Sequence, residues 1–165
     1  MPELPEVETT KNAILPFKGK TLKRIIVNNP SLRWPIDEKL INKIKDVKIL
    51  SISRRAKYIF LNLDEMTIII HLGMTGTFRI QKLGSNETRK HDHVVFEFSK
   101  EILIFNDPRR FGSLHVSKDP QNYFLIKDLG PEPLEDNFNT KYLCKKIKKA
   151  GCLLYTSDAA DDIGR

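Results

Sequence analysis

The chain has 165 residues and a formal net charge of +7, with 40% hydrophobic and 30% charged residues. This length suits one sizeable core, and this composition excludes collagen-like, low-complexity and wholly disordered proteins. The longest apolar runs fall far short of the ~20 residues that cross a bilayer. With no apolar leader at the N-terminus, the sequence predicts a cytoplasmic protein without a membrane segment.

The charge is unevenly distributed along the chain. The last fifteen residues hold three Asp and one Arg, which leaves residues 1–150 with a net charge of +9. A basic domain favours a polyanionic partner, most often nucleic acid, although a solvated lysine-rich surface gives the same charge. Cys144 and Cys152 lack CxxC spacing, so we expect reduced thiols and no four-cysteine zinc site.

Local sequence signals predict an N-terminal helix, two further helices and a β-rich middle. Pro5, followed by acidic residues, is typical of a helix start, and Pro16 is expected to end this helix. Asp37 is the predicted N-cap of a helix over residues 37–45, and a basic helix is predicted over residues 137–149. Strands are predicted over residues 21–28, 47–53, 58–63, 67–72, 77–80, 93–98, 102–105 and 113–116.

The short connections between these strands are typical of antiparallel hairpins. They indicate an α+β, mainly β fold: an antiparallel β-sandwich or flattened barrel, flanked by the N-terminal helix and the second short helix. We expect this domain to cover residues 1–136 and a helical linker to begin at residues 137–150. Composition changes abruptly at residue 151, so we expect residues 151–165 to be a disordered tail.

The N-terminal MPE is the first motif with chemical content. Initiator Met is normally removed before a small residue, which leaves Pro2 with a free secondary amine that is partly unprotonated near neutral pH. Such an amine condenses with an aldehyde-level sugar carbon to give a cationic iminium, and Glu3 is the candidate acid beside it. Many chains begin with Met-Pro, so this motif alone decides little.

Six motifs occur in the order and spacing of one protein family: MPELPEVETT (1–10), RRAKY (54–58), IIHLGMTG (69–76), KHDHV (90–94), NDPRRFG (106–112) and LGPEPL (129–134). On these motifs the chain resembles formamidopyrimidine-DNA glycosylase, the bacterial enzyme that excises oxidised purines and nicks the abasic strand. The resemblance covers residues 1 to about 149. The LPEVET segment is closer to this branch than to the related endonuclease VIII branch.

The resemblance implies four catalytic roles. Pro2 corresponds to the Schiff-base nucleophile and Glu3 to the general acid. Glu6 corresponds to a second helix carboxylate that supports the active site. Lys57 corresponds to the lysine that contacts the phosphate beside the lesion and donates a proton in β-elimination.

The resemblance also implies five DNA-binding residues. His71 and His91 correspond to DNA contacts, the first of them to a phosphate. Met74, Arg109 and Phe111 correspond to the three side chains that enter the base stack when the damaged nucleotide is extruded.

Two of these positions also have plain structural interpretations. Without the resemblance, His71 would be interpreted as a core histidine. His91 and His93, spaced i,i+2, would face the same way on a strand, which makes a metal pair conceivable, but two ligands without a third disfavour it.

In the family, a helix-two-turns-helix element and a four-cysteine zinc finger follow this region. Neither motif occurs here, so we expect no cofactor or metal in this chain and an impaired activity. The implied partner is damaged double-stranded DNA, bound by a monomer. Three alternatives stay open: a non-catalytic basic nucleic-acid-binding fragment, an endonuclease VIII-like glycosylase of oxidised pyrimidines, and a β-sandwich module with a merely solvated basic surface.

Overall fold

The computed structural model describes residues 2–85 and 87–148 of the chain. The chain divides into two compact units between Asp128 and Leu129, and each unit is described by itself. The predicted tail over residues 151–165 lies outside the described residues.

Helix α1 (Leu4–Ile14) forms the N-terminal end of the first unit and ends before Pro16, as predicted. A 3-10 turn (Leu15–Phe17) follows it. Val7 and Ile14 lie two helical turns apart, on the same face, and both are buried in the core. The opposite face of α1 is left for charged side chains.

Helix α2 (Glu38–Ile41) begins after Asp37, which is its N-cap as predicted. It is shorter than the predicted helix over residues 37–45. The N–H of Ile44 bonds to the carbonyl three residues back, and Asp46 adopts a positive φ of 54°. These two features tighten and then end the helical path.

Ten strands make up the middle of the chain. They are β1 (Thr21–Leu22), β2 (Arg24–Val27), β3 (Val47–Lys48), β4 (Ser51–Arg55), β5 (Tyr58–Asn62), β6 (Thr67–His71), β7 (Thr77–Lys82), β8 (Asp92–Glu97), β9 (Glu101–Asn106) and β10 (Ser113–Ser117). The predicted strands over residues 21–28 and 47–53 are each divided in two. Their first parts, β1 and β3, leave the main sheets and pair with each other.

The other eight strands form two antiparallel sheets, with strand orders β10-β6-β5-β4 and β2-β8-β9-β7. Apolar side chains of both sheets and of α1 meet in one buried cluster, to which Ile70 of the first sheet and Phe105 of the second belong. The α+β, mainly β prediction is therefore confirmed, in the form of two open sheets rather than a closed barrel.

The second unit contains helix α3 (Thr140–Ile147), inside the predicted helix over residues 137–149. Asn139 caps it by accepting the N–H of Tyr142 at 3.0 Å. Within residues 2–85 and 87–148, no helix is both long and apolar enough to cross a membrane.

Candidate active site

The N-terminal end of α1 brings the predicted nucleophile and the predicted acid side by side. Glu3 is the N-cap of α1, and its backbone N–H donates to Oε2 of Glu6 at 2.8 Å as part of a capping box. Pro2 directly precedes this cap and is half-buried. The carboxyl of Glu6 therefore fixes the backbone from which both Pro2 and Glu3 project.

Lys57 reaches the same helix end from the β4–β5 hairpin. Its Nζ lies 3.1 Å from Oε1 and 3.0 Å from Oε2 of Glu3. The Lys57 side chain is only 11% exposed, whereas that of Glu3 is 43% exposed. Ala56 adopts a positive φ of 48°, which lets a two-residue turn present Lys57 to the helix. The hairpin thus brings a buried ammonium group to the predicted acid.

Arg54 fixes the same hairpin to α1 at a second point. Its Nε donates to Oε2 of Glu8 at 2.8 Å, and its Nη1 donates to the carbonyl of Ala56 at 2.8 Å. Hydrogen bonds from Lys11 and then from Arg54 hold the pKa of Glu8 below its ordinary value. The hairpin is therefore tied to α1 at two points, through Arg54 to Glu8 and through Lys57 to Glu3.

His71 continues the site on strand β6. It pairs across the sheet with Tyr58, and the two rings lie 4.9 Å apart. Burial, assisted by the positive charges of Arg33 and Lys57, lowers the pKa of His71 to about 4. Because Nδ1 of this neutral ring accepts the N–H of Gly73 at 3.0 Å, its proton resides on Nε2. His71 is therefore a hydrogen-bond donor at neutral pH.

A pocket of about 380 Å³ opens beside His71, and two apolar side chains project at its rim. Met74 is 41% exposed and Phe111 is 43% exposed. The guanidinium carbon of Arg109 lies 4.7 Å from the centre of the Phe111 ring. The lining residues are Arg33, His71, Gly73, Met74 and Phe111.

The loops that carry these side chains touch through their backbones. Gly73 has a φ of 65°, and a Cβ placed on it would lie 2.3 Å from the backbone N of Gly112. The N–H of Arg33 donates to the carbonyl of Gly112 at 3.1 Å, which adds a third loop to the contact. The motif-based predictions missed Arg33, because a single arginine between two apolar residues carries no chemical signal of its own.

His91 and His93 do not form the strand pair that their spacing predicts. His91 precedes β8 instead of lying on it, but its ring still lies 6.2 Å from that of His93, in an edge-to-face arrangement. His93 is buried, with Nε2 2.8 Å from the carbonyl oxygen of Asp107. Over residues 2–85 and 87–148, no three His, Cys, Asp or Glu side chains are grouped so as to hold a metal ion.

Asp92, the residue after His91, is buried and holds the first residue of β8 in place. Burial alone would raise the pKa of Asp92, but hydrogen bonds outweigh burial and hold that pKa below its ordinary value. They come from Nη2 of Arg79 at 2.7 Å, Nδ2 of Asn106 at 2.8 Å and the N–H of Arg89 at 2.8 Å. The backbone on which His91 sits is therefore firmly held.

All nine predicted site residues thus lie in the first unit, and residues 1–114 match the model of the formamidopyrimidine-DNA glycosylase N-terminal domain. The chain belongs to the formamidopyrimidine-DNA glycosylase family. It is 47% identical over 152 residues to the formamidopyrimidine-DNA glycosylase of Hydrogenovibrio crunogenus, covering 90% of this chain and 54% of that protein. It is 46% identical over 168 residues to that of Alcanivorax borkumensis, covering 99% and 62%.

Solved structures of the family enzyme from Lactococcus lactis share the fold. One, bound non-covalently to DNA that contains an abasic site, has a TM-score of 0.80 and 33% identity over 90% of this chain and 58% of that chain. Another, bound to DNA containing N7-benzyl-Fapy-dG, has a TM-score of 0.80 and 33% identity over 90% and 56%. The chain thus spans little more than half the length of the glycosylases it matches.

Proposed function

We propose that this chain is the catalytic N-terminal part of a bifunctional DNA glycosylase and abasic-site lyase that acts on oxidised purines in double-stranded DNA. The observation that carries the proposal is the ion pair between Glu3 and Lys57, which lies beside Pro2. His71 and its pocket lie next to this pair, because the ring of Tyr58, the neighbour of Lys57, is in tilted contact with that of His71. Nucleophile, acid, proton donor and DNA-facing pocket are therefore contiguous within one unit.

The chemistry needs only an amine and proton carriers. The Pro2 nitrogen bonds to C1′ of the damaged nucleotide, the bond from C1′ to the base breaks, and the base leaves with a proton. Loss of the N–H proton and opening of the sugar ring give an iminium cation. This cation acidifies C2′, so that a proton leaves C2′ and the bond from C3′ to the phosphate oxygen breaks. A second elimination releases the other phosphate, and water frees Pro2.

Each carboxyl and ammonium group has a role in this series of reaction steps. The Glu3 carboxylate takes up the proton that the Pro2 nitrogen loses and donates it to the ring oxygen, and Lys57 keeps the Glu3 carboxyl at the sugar while supplying a proton during elimination. Glu6 supports both by holding the Glu3 backbone. These groups act without a cofactor in this chain.

The other predicted residues serve the DNA. Met74, Arg109 and Phe111 fill the gap that the extruded nucleotide leaves, while His71 donates its Nε2 proton to a phosphate oxygen. His91, directly before β8, also contacts the DNA. Because DNA repair requires access to the chromosome, we propose that the protein acts in the cytoplasm. We also propose that it acts as a monomer.

Two alternative functions have specific support. A non-catalytic nucleic-acid-binding role is supported by the net charge of +9 of residues 1–150, which attracts a polyanion without any chemistry at Pro2. A preference for oxidised pyrimidines is supported by the Lactococcus lactis enzyme, which has been solved with DNA containing an oxidised pyrimidine.

Borohydride trapping tests the proposed function. The chain, with Met1 removed so that Pro2 is the N-terminal residue, is mixed in excess with a duplex that contains one abasic site, and the adduct is located by mass spectrometry. We expect the adduct on Pro2 and none in a matched chain whose N-terminus carries extra residues, because Pro2 is then an amide. An adduct on a lysine, or equal trapping by both chains, would contradict the role of Pro2. DNA binding without any adduct would support the non-catalytic alternative.

A further inference from the structure

The side chain of Asp107 connects two loops of the pocket rim. Asp107 follows β9 and is fully buried. Its Oδ1 accepts the hydroxyl of Thr75 at 2.5 Å, and its Oδ2 accepts the N–H of Gly112 at 2.7 Å. Thr75 follows Met74, and Gly112 follows Phe111. One buried carboxyl therefore bridges the loops that carry these two exposed apolar side chains.

The backbone of Asp107 adds a third loop. Its N–H donates to the carbonyl of His91 at 3.1 Å, and its carbonyl accepts the N–H of Arg110 at 3.2 Å. The same carbonyl oxygen lies 2.8 Å from Nε2 of His93. All three segments predicted to face DNA beside the pocket are thus bonded to this one residue.

Thr75 completes the connection. Its hydroxyl oxygen accepts the N–H of Arg109 at 3.3 Å while its proton goes to Asp107. The hydroxyl therefore joins the Met74 loop both to the carboxyl and to the backbone that bears Arg109.

We propose that Asp107, acting through Thr75, is a positioning residue that makes the loops of Met74, Arg109 and Phe111 move as one body. If the loop of Met74 and the loop of Arg109 and Phe111 were independent, both would lose conformational freedom when these side chains enter a base stack, whereas coupled loops are ordered beforehand. The coupling stands on the hydrogen bonds alone. Its use in nucleotide extrusion rests on the proposed function.

Replacing Asp107 itself is a poor test, because it leaves two buried donors unpaired and endangers folding. Thr75→Val keeps the shape of the side chain and removes only the hydroxyl. Thr75→Ser keeps the hydroxyl and is the matched control. Both changes leave the Asp107 carboxyl in place.

The first readout is amide hydrogen exchange in the 165-residue chain without DNA. The N–H of Gly112 bonds to the Asp107 carboxyl and not to Thr75. Its exchange rate therefore reports whether the loss of the Thr75 hydroxyl affects the loop of Gly112. In Thr75→Val we expect exchange at Gly112 and Arg109 to become about tenfold faster, the scale of one lost hydrogen bond. In Thr75→Ser, the exchange rates of Gly112 and Arg109 should stay as in the unaltered chain. In both variants, the exchange rate of the Gly19 amide, which bonds to the carbonyl of Ile49, should also stay unchanged. Faster exchange at Arg109 alone would overturn the coupling.

The second readout separates extrusion from chemistry. A duplex carries a formamidopyrimidine lesion with 2-aminopurine as the neighbouring base, whose fluorescence rises when the lesion leaves the stack. We expect Thr75→Val to slow this rise about tenfold. Trapping on a duplex that already contains an abasic site should stay within about twofold, and Thr75→Ser should behave as the unaltered chain.

Equal losses on the two duplexes would overturn a positioning role, since they would indicate general damage. Failure of the unaltered chain to trap abasic DNA would overturn the proposed function instead. The exchange measurement decides the coupling of the loops in either case.

Discussion

Lys57 Nζ lies within 3.1 Å of both carboxyl oxygens of Glu3, although the two residues are 54 positions apart in the chain. The contact joins a hairpin turn to a helix N-terminus, the two elements that the sequence analysis assigned to elimination and to base excision. A carboxyl whose two oxygens both contact a largely buried ammonium group has a fixed orientation, as the proposed proton transfer requires.

Glu3→Gln should lower base excision by ~10² to 10⁴, the usual effect of losing a general acid, because the amide keeps the size of the side chain but lacks the proton. The measurement is single-turnover excision with the chain in excess over a lesion duplex. Glu65→Gln, in the turn between β5 and β6 with a side chain that is 76% exposed, is the control and should excise normally. Unchanged excision in Glu3→Gln would exclude the acid role.

Replacing Met74, Arg109 and Phe111 together by Ala should weaken binding to a lesion opposite C more than binding to an abasic site. Unstacking a nucleotide costs a few kcal/mol, and a missing base has already removed part of that cost. Titration of the two labelled duplexes gives the comparison. A parallel loss of affinity for both would assign these side chains to the fold alone.

Stability should rise with pH between about pH 4 and pH 6.5, in part because of His71. Folding lowers the pKa of His71 from 6.5 to about 4, so in this window the unfolded chain binds more protons than the folded chain. His115, whose pKa burial also lowers, acts in the same direction. His71→Asn can still accept the Gly73 N–H but does not titrate. Urea unfolding at pH 4.5 and 7 should therefore show a smaller loss on acidification in His71→Asn, and an identical loss would refute this account.

Gly73→Ala should disrupt the pocket rim, because its Cβ would lie 2.3 Å from the backbone of Gly112. Gly84→Ala is the matched control, since Gly84 has a similar positive φ of 86° but open space around its Cα. We expect Gly84→Ala to cost ~1 to 2 kcal/mol of backbone strain and Gly73→Ala clearly more. Thermal unfolding of both variants gives the comparison. Equal decreases in Tm for the two variants would mean that the loops of Gly73 and Gly112 can separate without cost, and would contradict this prediction.

Arg79→Gln should destabilise the fold by ~3 to 5 kcal/mol, because it leaves the buried carboxyl of Asp92 without its cation. Arg24→Gln breaks a geometrically similar pair with Glu97, in which the arginine side chain is 60% exposed, and should cost less than about 1 kcal/mol. Urea unfolding at pH 7 measures both. A similar cost for the two variants would contradict the importance of burial.

The sequence predicted those elements whose signals are local. Pro5 marks the start of α1, and Asp37 and the short turns mark α2 and the hairpins. It could not predict that β10 pairs with β6, because this pairing brings Ser113 next to His71 across 42 positions and depends on the whole sheet. The sequence also predicted one strand over residues 21–28, whereas the strand breaks at Lys23, whose N–H donates to the carbonyl of Glu97 and whose carbonyl and side chain bond to Asp46.

For the site, the motifs placed Glu3 and Lys57 in one family pattern, and the structure adds that they touch. Asp107 escaped notice because its DP sequence is typical of an exposed turn, and only the fold shows that it is buried. Its hydrogen-bond partners come from separate loops, so no spacing rule could have revealed them.

The two buried residues of α1 limit the lengths that the N-terminal segment can have. Val7 and Ile14 fix the rotation of the helix against the core, and Glu3 is one turn before Val7. One residue inserted between Glu3 and Val7 would turn the helix end by about 100°, since a turn holds 3.6 residues. Pro2 and Glu3 would then face away from Lys57 although every side chain was retained. Insertions and deletions in this short segment should therefore be tolerated less than most single substitutions there.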